Sequence, residues 1–307
     1  MIGRSKRRRA APWVVAAACG LGGTAAGCEP ALTPGAFEAQ EIDAGGGEVG
    51  GDAGQGSVDF TDMTGTWALA VDLSSCATLF GLTQETRNQV ISKVEIVQEG
   101  LLLREVHEDC VSANTPVAGL AAVVPLSTVQ TANPMQVEST LFGTNVGNSY
   151  RSRVKARVWG IRLDDPRTDF FPRAGDLPDD RIFDADEDGN PGVTLDIGNG
   201  SCQIFIIQRA LESAAGKLMP DGSVEGEGSL LTVQTVLGAT NNLCSTPYDV
   251  EPNDDFSNFR MVRVDGAGLD FDDDGDGDVS CGEILAHQRQ ILEFKEADHG
   301  RCAADGE

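Results

Sequence analysis

The chain of 307 residues carries 23 Lys and Arg side chains against 48 Asp and Glu, a formal net charge of −25 at pH 7. This excess of negative charge excludes nucleic acid as a partner, because phosphate backbones bind basic surfaces. Beyond residue 28, no stretch of the sequence approaches the roughly 20 apolar residues of a membrane-spanning helix.

The first 27 residues have the pattern of a secretory signal peptide. A basic start at residues 4–9 precedes a mostly small and apolar run, which ends at Ala25-Ala26-Gly27 before Cys28. The pattern resembles the signals of bacterial lipoproteins. That resemblance implies lipidation of Cys28 and anchoring in the envelope of a Gram-negative bacterium, at the outer membrane.

Three alternatives to this interpretation stay open: cleavage before Cys19, a signal that directs no lipidation, and twin-arginine export. Removal of the signal would leave 18 basic against 48 acidic residues, a formal charge of −30. Such a surface repels anionic lipids, so we expect membrane contact through the lipid anchor only.

Residues 28–60 are predicted to form a flexible linker. The segment is rich in Gly, Ala and acidic residues and cannot bury enough apolar surface to fold. Its reach as a coil is on the order of 30 Å.

Six of the eight cysteines stay available for disulfides if Cys19 is removed and Cys28 is lipidated. An even number in an exported chain favours disulfide bonds, and six cysteines allow fifteen pairings. We expect Cys76 to pair with Cys110 and Cys202 with Cys244, because each pair brackets strand-like segments. Zinc is the alternative, but no Cys-x-x-Cys motif supports it. The remaining two cysteines are Cys281 and Cys302.

Residues 61–265 are predicted to form a mainly β domain, an antiparallel barrel or sandwich. Short alternating or apolar runs are separated by turn residues, and few helical periods occur. The region is large enough for a single core. The predicted strands are Thr66–Leu73, Val94–Val97, Leu101–Val106, Gln136–Phe142, Arg151–Leu163, Gln203–Ala210, Ser229–Leu237 and Phe259–Val264.

The Gly65-Thr66-Trp67 triplet opens the first predicted strand and resembles the start of lipocalin-like barrels. The resemblance implies that Trp67 closes one end of the barrel against an arginine of a late strand, either Arg260 or Arg263. An ordinary core tryptophan is the alternative.

Four cations alternate with smaller residues from Arg151 to Arg157 and are therefore expected on one face of a strand. That face would be either a solvated outer surface or a docking stripe for an anionic envelope polymer. The four are Arg151, Arg153, Lys155 and Arg157.

The most specific pattern in the chain is the twelve-residue run from Asp272 to Glu283. It has an oxygen-bearing residue at each ligand position of the EF-hand calcium loop, Gly277 at the turn position and Val279 at the apolar position. The run therefore resembles an EF-hand loop, which implies Ca²⁺ as cofactor; a solvated acidic turn is the alternative. The implied ligands are Asp272, Asp274, Asp276, the carbonyl of Asp278, Ser280 through a water, and Glu283.

A second acidic run repeats only the first half of this pattern. Position 12 is Leu195 where a bidentate Glu belongs, and Pro191 replaces the apolar position. Calcium could bind if Asp179, Asp180 or Asp196 completed the shell, and a metal-free turn is equally consistent. The candidate ligands of this weaker site are Asp184, Asp186, Asp188 and Asn190.

Residues 266–307 are predicted to form an EF-hand-like module of one loop and one helix. The apolar residues after Glu283 lie on one side of a helix that could continue to about Glu296. No entering helix is predicted, because residues 256–264 have a strand pattern. The site is therefore expected to be structural and modest in affinity.

Catalysis is not expected, because the three histidines His107, His287 and His299 are scattered and no nucleophile, phosphate-loop or dinucleotide motif occurs. The chain resembles calcium-loop lipoproteins of Gram-negative envelopes, which implies a structural or adhesive role with calcium as the bound partner. A lipocalin-like barrel carrying a small apolar ligand is the alternative. The sequence does not identify a protein or polysaccharide partner.

The signal pattern makes a prediction about Cys28. Metabolic labelling with a fatty acid should mark the wild-type chain and leave Cys28→Ser unlabelled, because the thiol is the acyl acceptor. Equal labelling of both chains would contradict lipidation at this residue.

Overall fold

The structure is a computed structural model that describes residues 62–79, 82–117, 122–123, 128–129, 134–143, 146–197, 202–241, 249–266, 269–298 and 300–302. Residues 54–307 cluster into one compact unit. The predicted signal, Cys28, the linker 28–60, Cys244 and His299 lie outside the described residues. None of the described helices is long and apolar enough to cross a membrane.

Twelve strands and, after the last of them, two short α-helices are the main elements of the described residues. The strands are β1 (Gly65–Leu79), β2 (Leu82–Glu99), β3 (Leu102–Asn114), β4 (Ala122–Val123), β5 (Met135–Phe142), β6 (Ser149–Ser152), β7 (Lys155–Trp159), β8 (Val193–Ile197), β9 (Cys202–Leu218), β10 (Val224–Ala239), β11 (Asp249–Pro252) and β12 (Asn258–Arg263). The helices are α1 (Cys281–Ala286) and α2 (Gln288–Ile291).

The strands close into an antiparallel ring of eight positions. In ring order, β1, β2, β3, β5, β6, β9, β10 and β12 each pair with the next, and β12 returns to β1. β7 continues β6 along β9, and β11 continues β12 along β1. The eight ring strands follow one another in chain order, with the short strands β4, β7, β8 and β11 in the connections between them, so the barrel is an up-and-down meander. The predicted mainly β antiparallel fold is confirmed, and each predicted strand overlaps a strand of the ring.

The barrel interior is filled by alternate side chains of the ring strands, because opposed residues of an antiparallel ladder share a face. Val71, for example, lies opposite both Val90 and Phe259. Phe259 fits because Gly216 has no side chain: a Cβ there would lie 2.9 Å from the ring. This core contains Met63, Trp67, Leu69, Val71, Leu73, Val90, Val94, Ile96, Leu103, Leu141, Tyr150, Ala210, Leu218, Val224, Leu230, Phe259 and Met261.

Trp67 is buried near the end of the barrel at which the described chain begins, and its Nε1 donates to the Met63 carbonyl at 2.8 Å. The residue opposite Trp67 on β12 is Arg263, not Arg260. Arg263 donates to the Asp62 carbonyl at 3.4 Å, so this arginine ties the first described residues to the last strand of the ring.

The expectation of four cations on one strand face is wrong. Arg151 and Arg153 are exposed, whereas Lys155 and Arg157 are buried inside the barrel. Two residues outside the strand pattern separate β6 from β7 and change the alternation between them. A continuous docking stripe is therefore not formed.

The two buried cations belong to a charged network inside the barrel. Arg157 Nε donates to Asp109 at 2.9 Å and Arg157 also binds Glu212, which lies 3.0 Å from Lys155 Nζ. Burial opposes ionisation of Asp109, but the charges of Arg157 and Lys155 and the Ser92 hydroxyl outweigh it and hold the pKa of Asp109 well below its usual range. The network is thus ionised and paired at neutral pH.

Residues 269–298 and 300–302, the C-terminal segment, cover the outer face of the barrel wall. Small and apolar side chains of β1, β2 and β12 meet apolar side chains of the loop and helices there. Both faces of β1 are consequently buried, which explains its nearly continuous apolar sequence. The buried residues of this second core are Ala68, Ala70, Ile91, Val262, Val264, Phe271, Val279, Ile284 and Ile291.

The expectation of a single helix that continues to about Glu296 is wrong. α1 ends before His287, which has φ −100° and ψ 9°, and α2 ends at Ile291. Residues 292–298 are not helical, because barrel carboxylates accept two of their backbone N–H groups: Asp72 accepts the Lys295 N–H at 2.9 Å, and Glu85 accepts the Asp298 N–H.

The predicted Cys76–Cys110 disulfide is wrong. Cys76 of β1 bonds Cys302, and Cys110 of β3 bonds Cys281. β2 lies between β1 and β3, which separates their backbones by roughly 9–10 Å, beyond the span of a disulfide. Cys202 is also disulfide-bonded. Because Cys244 is not among the described residues, the Cys202–Cys244 pairing stays a prediction.

A buried ion cluster supports the junction between the wall and the C-terminal segment. Arg87 Nε and Nη1 lie 2.7 Å from Asp72 and Glu85 carboxylate oxygens, and all three side chains are fully buried. Arg87 Nη2 also donates to the Phe256 carbonyl at 3.0 Å. The two carboxylates that Arg87 neutralises are the acceptors for the C-terminal backbone.

Arg87→Met should destabilise the protein by about 3–5 kcal/mol, because it leaves Asp72 and Glu85 buried without their cation. Arg153→Met is the matched control, since Arg153 is 69% exposed and its pair with Glu138 should contribute no more than about 1 kcal/mol. Urea unfolding measures both. Equal losses in the two variants would contradict a structural role for the cluster.

Candidate metal centre

Three carboxylates gather in the loop between β12 and α1. One oxygen from each of Asp272, Asp274 and Asp276 lies within 4.8 Å of the others. Two oxygens on opposite sides of a Ca²⁺ ion are separated by about the same distance, since each lies about 2.3–2.6 Å from the ion. Loop positions 1, 3 and 5 are therefore close enough to share one ion.

The loop backbone is turned around these carboxylates. Asp272 Oδ1 accepts the N–H groups of Gly275 at 2.8 Å and Asp276 at 3.1 Å, and Asp272 Oδ2 accepts the Gly277 N–H at 2.9 Å. Gly275 and Gly277 have φ values of +74° and +89°, which side-chain-bearing residues rarely adopt. Gly277 therefore has the positive φ that the predicted turn position requires, and Gly275 is a second residue with a positive φ in this loop.

Glu283 reaches the loop from the first turn of α1. Its Oε1 accepts the Asp273 N–H at 2.8 Å, which places position 12 against the start of the loop. Its Oε2 accepts the Ser280 N–H at 2.8 Å, while Ser280 caps α1 by accepting the Glu283 N–H. Glu283 thereby connects the two ends of the loop.

The charges in the loop oppose one another. The Asp276 N–H lowers the pKa of Asp274, but repulsion from the carboxylates of Asp276, Glu283 and Asp272 outweighs it and raises that pKa above its usual value. The Ser280 N–H and hydroxyl lower the pKa of Glu283. A divalent cation would relieve the repulsion at Asp274, so affinity for the cation should fall as pH decreases and these groups take up protons.

The loop is attached to the barrel at both ends and along its length. Phe271 before the loop is buried, and its N–H donates to the Val264 carbonyl at 3.2 Å. Val279 is buried in the core shared with the wall, as the apolar loop position predicts. Cys281, at position 10, is bonded to Cys110 of β3. The loop ends therefore cannot move apart freely.

Lys93 of β2 provides a further attachment. Its Nζ lies 2.6 Å from an Asp278 carboxylate oxygen and 3.4 Å from Glu95. Burial lowers the pKa of Lys93, but Asp278 and Glu95 outweigh that effect and raise it. Because the Asp278 side chain is directed to Lys93, the carbonyl is the group that this residue would offer a cation at position 7.

The second acidic loop gathers Asp184, Asp186 and Asp188 but has no acidic residue at position 12. One oxygen from each of the three lies within 4.8 Å of the others. Leu195 at position 12 is buried in an apolar core. Asp184 accepts the Gly189 N–H at 2.8 Å and Asp188 accepts the Asn190 N–H at 2.8 Å. These hydrogen bonds hold the loop in its turn conformation without an ion.

Asp186 is the distinctive member of the second loop. Its Oδ1 is buried and makes no hydrogen bond within the described part of the chain. Burial and the charges of Asp188 and Asp184 raise the pKa of Asp186. Asp179 is engaged elsewhere, since Arg181 hydrogen bonds lower its pKa to about 2. The loop thus offers three carboxylates and fewer further ligands than residues 272–283.

Sequence reasoning identified the loop but missed its partners on the barrel. Lys93 and Cys110 lie more than 150 residues before the loop, and nothing in their local sequence indicates contact with it. His287 was also missed: its ring stacks on Phe271 with centroids 4.5 Å apart, and its Nε2 lies 3.0 Å from Asp273. The sequence did offer a signal for His287: it lies four residues after Glu283, so in a helix both side chains are on the same face, towards the loop.

Comparison with protein-family models, with curated proteins and with solved structures finds no match to this chain. Function is therefore inferred from the residues of the chain itself.

Calcium binding to residues 272–283 should depend on Glu283. Glu283→Gln should weaken binding at least about tenfold, because position 12 supplies two of the oxygens and one of the charges. Glu293→Gln makes the same change outside the loop and should bind as the wild type does. Isothermal titration calorimetry measures both, and uptake unchanged in Glu283→Gln would identify the run as an acidic turn only.

Proposed function

We propose that the chain is a calcium-binding lipoprotein of the cell envelope in which Ca²⁺ fastens the C-terminal segment to the outer wall of a β-barrel. The observation that carries this proposal is the loop 272–283. Its three gathered carboxylates follow the buried Phe271 and precede two attachments to the barrel, one to β2 through Asp278 and one to β3 through Cys281. The resulting role is structural or adhesive.

The attachments favour binding by pre-organising the loop. Phe271 is buried before the loop and Cys281 at position 10 is bonded to the wall, so the carboxylates are held together against their repulsion. Less ordering is then required when the ion binds, which favours affinity. In return, an ion shared by positions 1, 3, 5 and 12 would join the start of the loop to α1.

A structural role fits the surroundings of the loop better than a sensor role. Sensor EF-hands use calcium to move a pair of helices apart and expose an apolar groove. Here α1 has six residues and buries Ile284 against the barrel wall, and the other described helix, α2, buries Ile291 there as well. Calcium would stabilise this packed arrangement instead of opening it.

Placement in the envelope is supported by the sequence of the first 28 residues and by oxidised cysteines. Cys76–Cys302 and Cys110–Cys281 would form and persist in an oxidising compartment. With acylation at Cys28, the lipid would anchor the chain in the outer membrane of a Gram-negative cell, and the linker, residues 28–60, would connect the anchor to the barrel.

The loop at residues 184–190 is proposed as a weaker calcium site. The buried Asp186 Oδ1, which has no hydrogen-bond partner among the described residues, favours a cation there. The apolar Leu195 at position 12 removes a bidentate ligand and one negative charge, so its affinity should be lower than that of residues 272–283.

A carrier of small apolar molecules is the second candidate, and the barrel interior does not favour it. The interior cavity next to Tyr150 and Phe259 has a volume of about 40 Å³. Ligand pockets usually have volumes of about 300–1,000 Å³. Lys155 and Glu212 also line this cavity, so its surface is partly charged. A larger cleft of about 790 Å³ between β3, β5 and β7 opens to solvent and is lined mostly by charged side chains, which do not suit an apolar ligand. The small volume of the first cavity and the charge around both support the structural role over a carrier function.

Calcium should raise the stability of the folded chain. If the dissociation constant is about 10 μM, about 1 mM Ca²⁺ should add roughly 2.7 kcal/mol to the free energy of unfolding. Urea unfolding with calcium or with a chelator measures this. Asp272→Asn with Asp276→Asn should lose most of the gain, and Asp184→Asn with Asp188→Asn should lose less. A calcium effect of equal size in all three proteins would contradict the assignment.

A further inference from the structure

Exposed apolar side chains collect on adjacent turns at one end of the barrel. Leu101 in the β2–β3 turn is 43% exposed, Phe142 at the end of β5 is 57% exposed, and Val146 in the β5–β6 connection is 59% exposed. The Leu141 N–H donates to the Leu101 carbonyl at 2.9 Å, so the β2–β3 turn and the end of β5 are neighbours. Single exposed apolar residues are ordinary, but apolar tips on neighbouring turns indicate a contact surface.

The described chain enters the barrel at this same end. The Met63 N–H donates to Gln98 Oε1 at 2.7 Å, and the Gln98 N–H donates to Thr64 Oγ1 at 3.3 Å. Gln98 stands three residues before Leu101. The 34 residues 28–61 connect this end to Cys28, and a coil of that length reaches on the order of 30 Å. A lipid anchor at Cys28 would therefore keep these turns close to a bilayer.

Three acidic residues of this end form ion pairs with arginines, which lowers the local excess of negative charge relative to the −25 of the whole chain. Pairing reduces the repulsion and the desolvation that would oppose contact with a lipid surface. Exposed Lys217 adds a positive charge near the end of β9, just before the β9–β10 turn. The pairs are Glu99 with Arg104, Asp221 with Arg260, and Asp265 with Arg263.

We propose that this end of the barrel, the apolar rim formed by Leu101, Phe142 and Val146, contacts the lipid bilayer directly and inserts these three side chains at the interface. The inference rests on the proposed anchoring at Cys28 and replaces the expectation that the anchor alone touches the membrane. The lipid surface is zwitterionic, because the acidic chain would be repelled by an anionic one. Three side chains bind weakly by themselves, and the anchor raises their local concentration enough for them to orient the barrel.

The test measures hydrogen exchange by mass spectrometry on the full chain, with and without phosphatidylcholine vesicles. Vesicles should slow exchange in peptides 99–103 and 140–149 about fivefold and leave the β1–β2 connection unchanged, because only the rim enters the interface. Leu101→Ser with Phe142→Ser and Val146→Ser should abolish this protection. The matched control is Leu82→Ser with Phe170→Ser, which removes side chains that are 56% and 62% exposed outside the rim.

Vesicle flotation of the same proteins in a Cys28→Ser background separates the rim from the anchor. The rim predicts weak partition of Cys28→Ser that falls at least about threefold in the triple rim variant and not in the control variant. If wild type and Cys28→Ser partition equally and both lose binding in the rim variant, the anchor is wrong and the rim stands. If the anchored chain binds vesicles but exchange at the rim is unchanged, or if the rim variant keeps its protection, the rim proposal is overturned. Unchanged exchange would then direct the search to a protein partner for the rim.

Discussion

The outer face of the β1–β2 wall cannot be exposed to water, and the rest of the structure follows from this constraint. Ala68, Ala70 and Ile91 make the face apolar, and the buried Arg87 cluster places two carboxylates beside it. An exposed wall would leave apolar surface hydrated, and a bare cluster would leave ions without their full set of hydrogen bonds. The C-terminal segment meets both needs, since it covers the apolar wall with apolar side chains and donates backbone N–H groups to the carboxylates of the cluster.

The acidic loop 272–283 is part of this cover, and its chemistry is best understood from that position. A loop rich in carboxylates is unfavourable in a closed conformation because like charges repel. The barrel opposes this repulsion with Lys93, with the Cys110–Cys281 bond and with burial of Phe271 and Val279. Calcium would add to the same balance, so its proposed effect is to strengthen an arrangement that the barrel already favours.

The interior of the barrel has a different balance of interactions. Large apolar side chains such as Trp67 and Phe259 occupy part of it, and the Asp109, Arg157 and Glu212 network occupies another part. Breaking such a network is costly because the remaining charge stays buried, whereas replacing all of it by apolar groups is often neutral. Its contribution is therefore better described as specifying which side chains face inward than as adding stability.

The strands and the acidic loop could be predicted from the sequence, because both depend on local spacing. Alternation along Gln136–Phe142 or Ser229–Leu237 reports a buried and an exposed face, and the loop pattern reports the positions of oxygen ligands around one ion. The rim could not be recognised in this way, because Leu101 and Phe142 become neighbours only when β3 and β5 pair.

Other features were decided only by the tertiary structure. The disulfide partners depend on the order of strands in the ring and on the path of the C-terminal segment, since Cys76 and Cys302 are 226 residues apart. The end of the helical region depends on Asp72, whose carboxylate accepts a backbone N–H 223 residues later. The inward direction of Lys155 and Arg157 depends on irregular backbone between β6 and β7. Thus local spacing determined the strands and the candidate ligands, whereas contacts between distant residues decided how the loop is held, because pairing across the barrel leaves no mark in the neighbouring sequence.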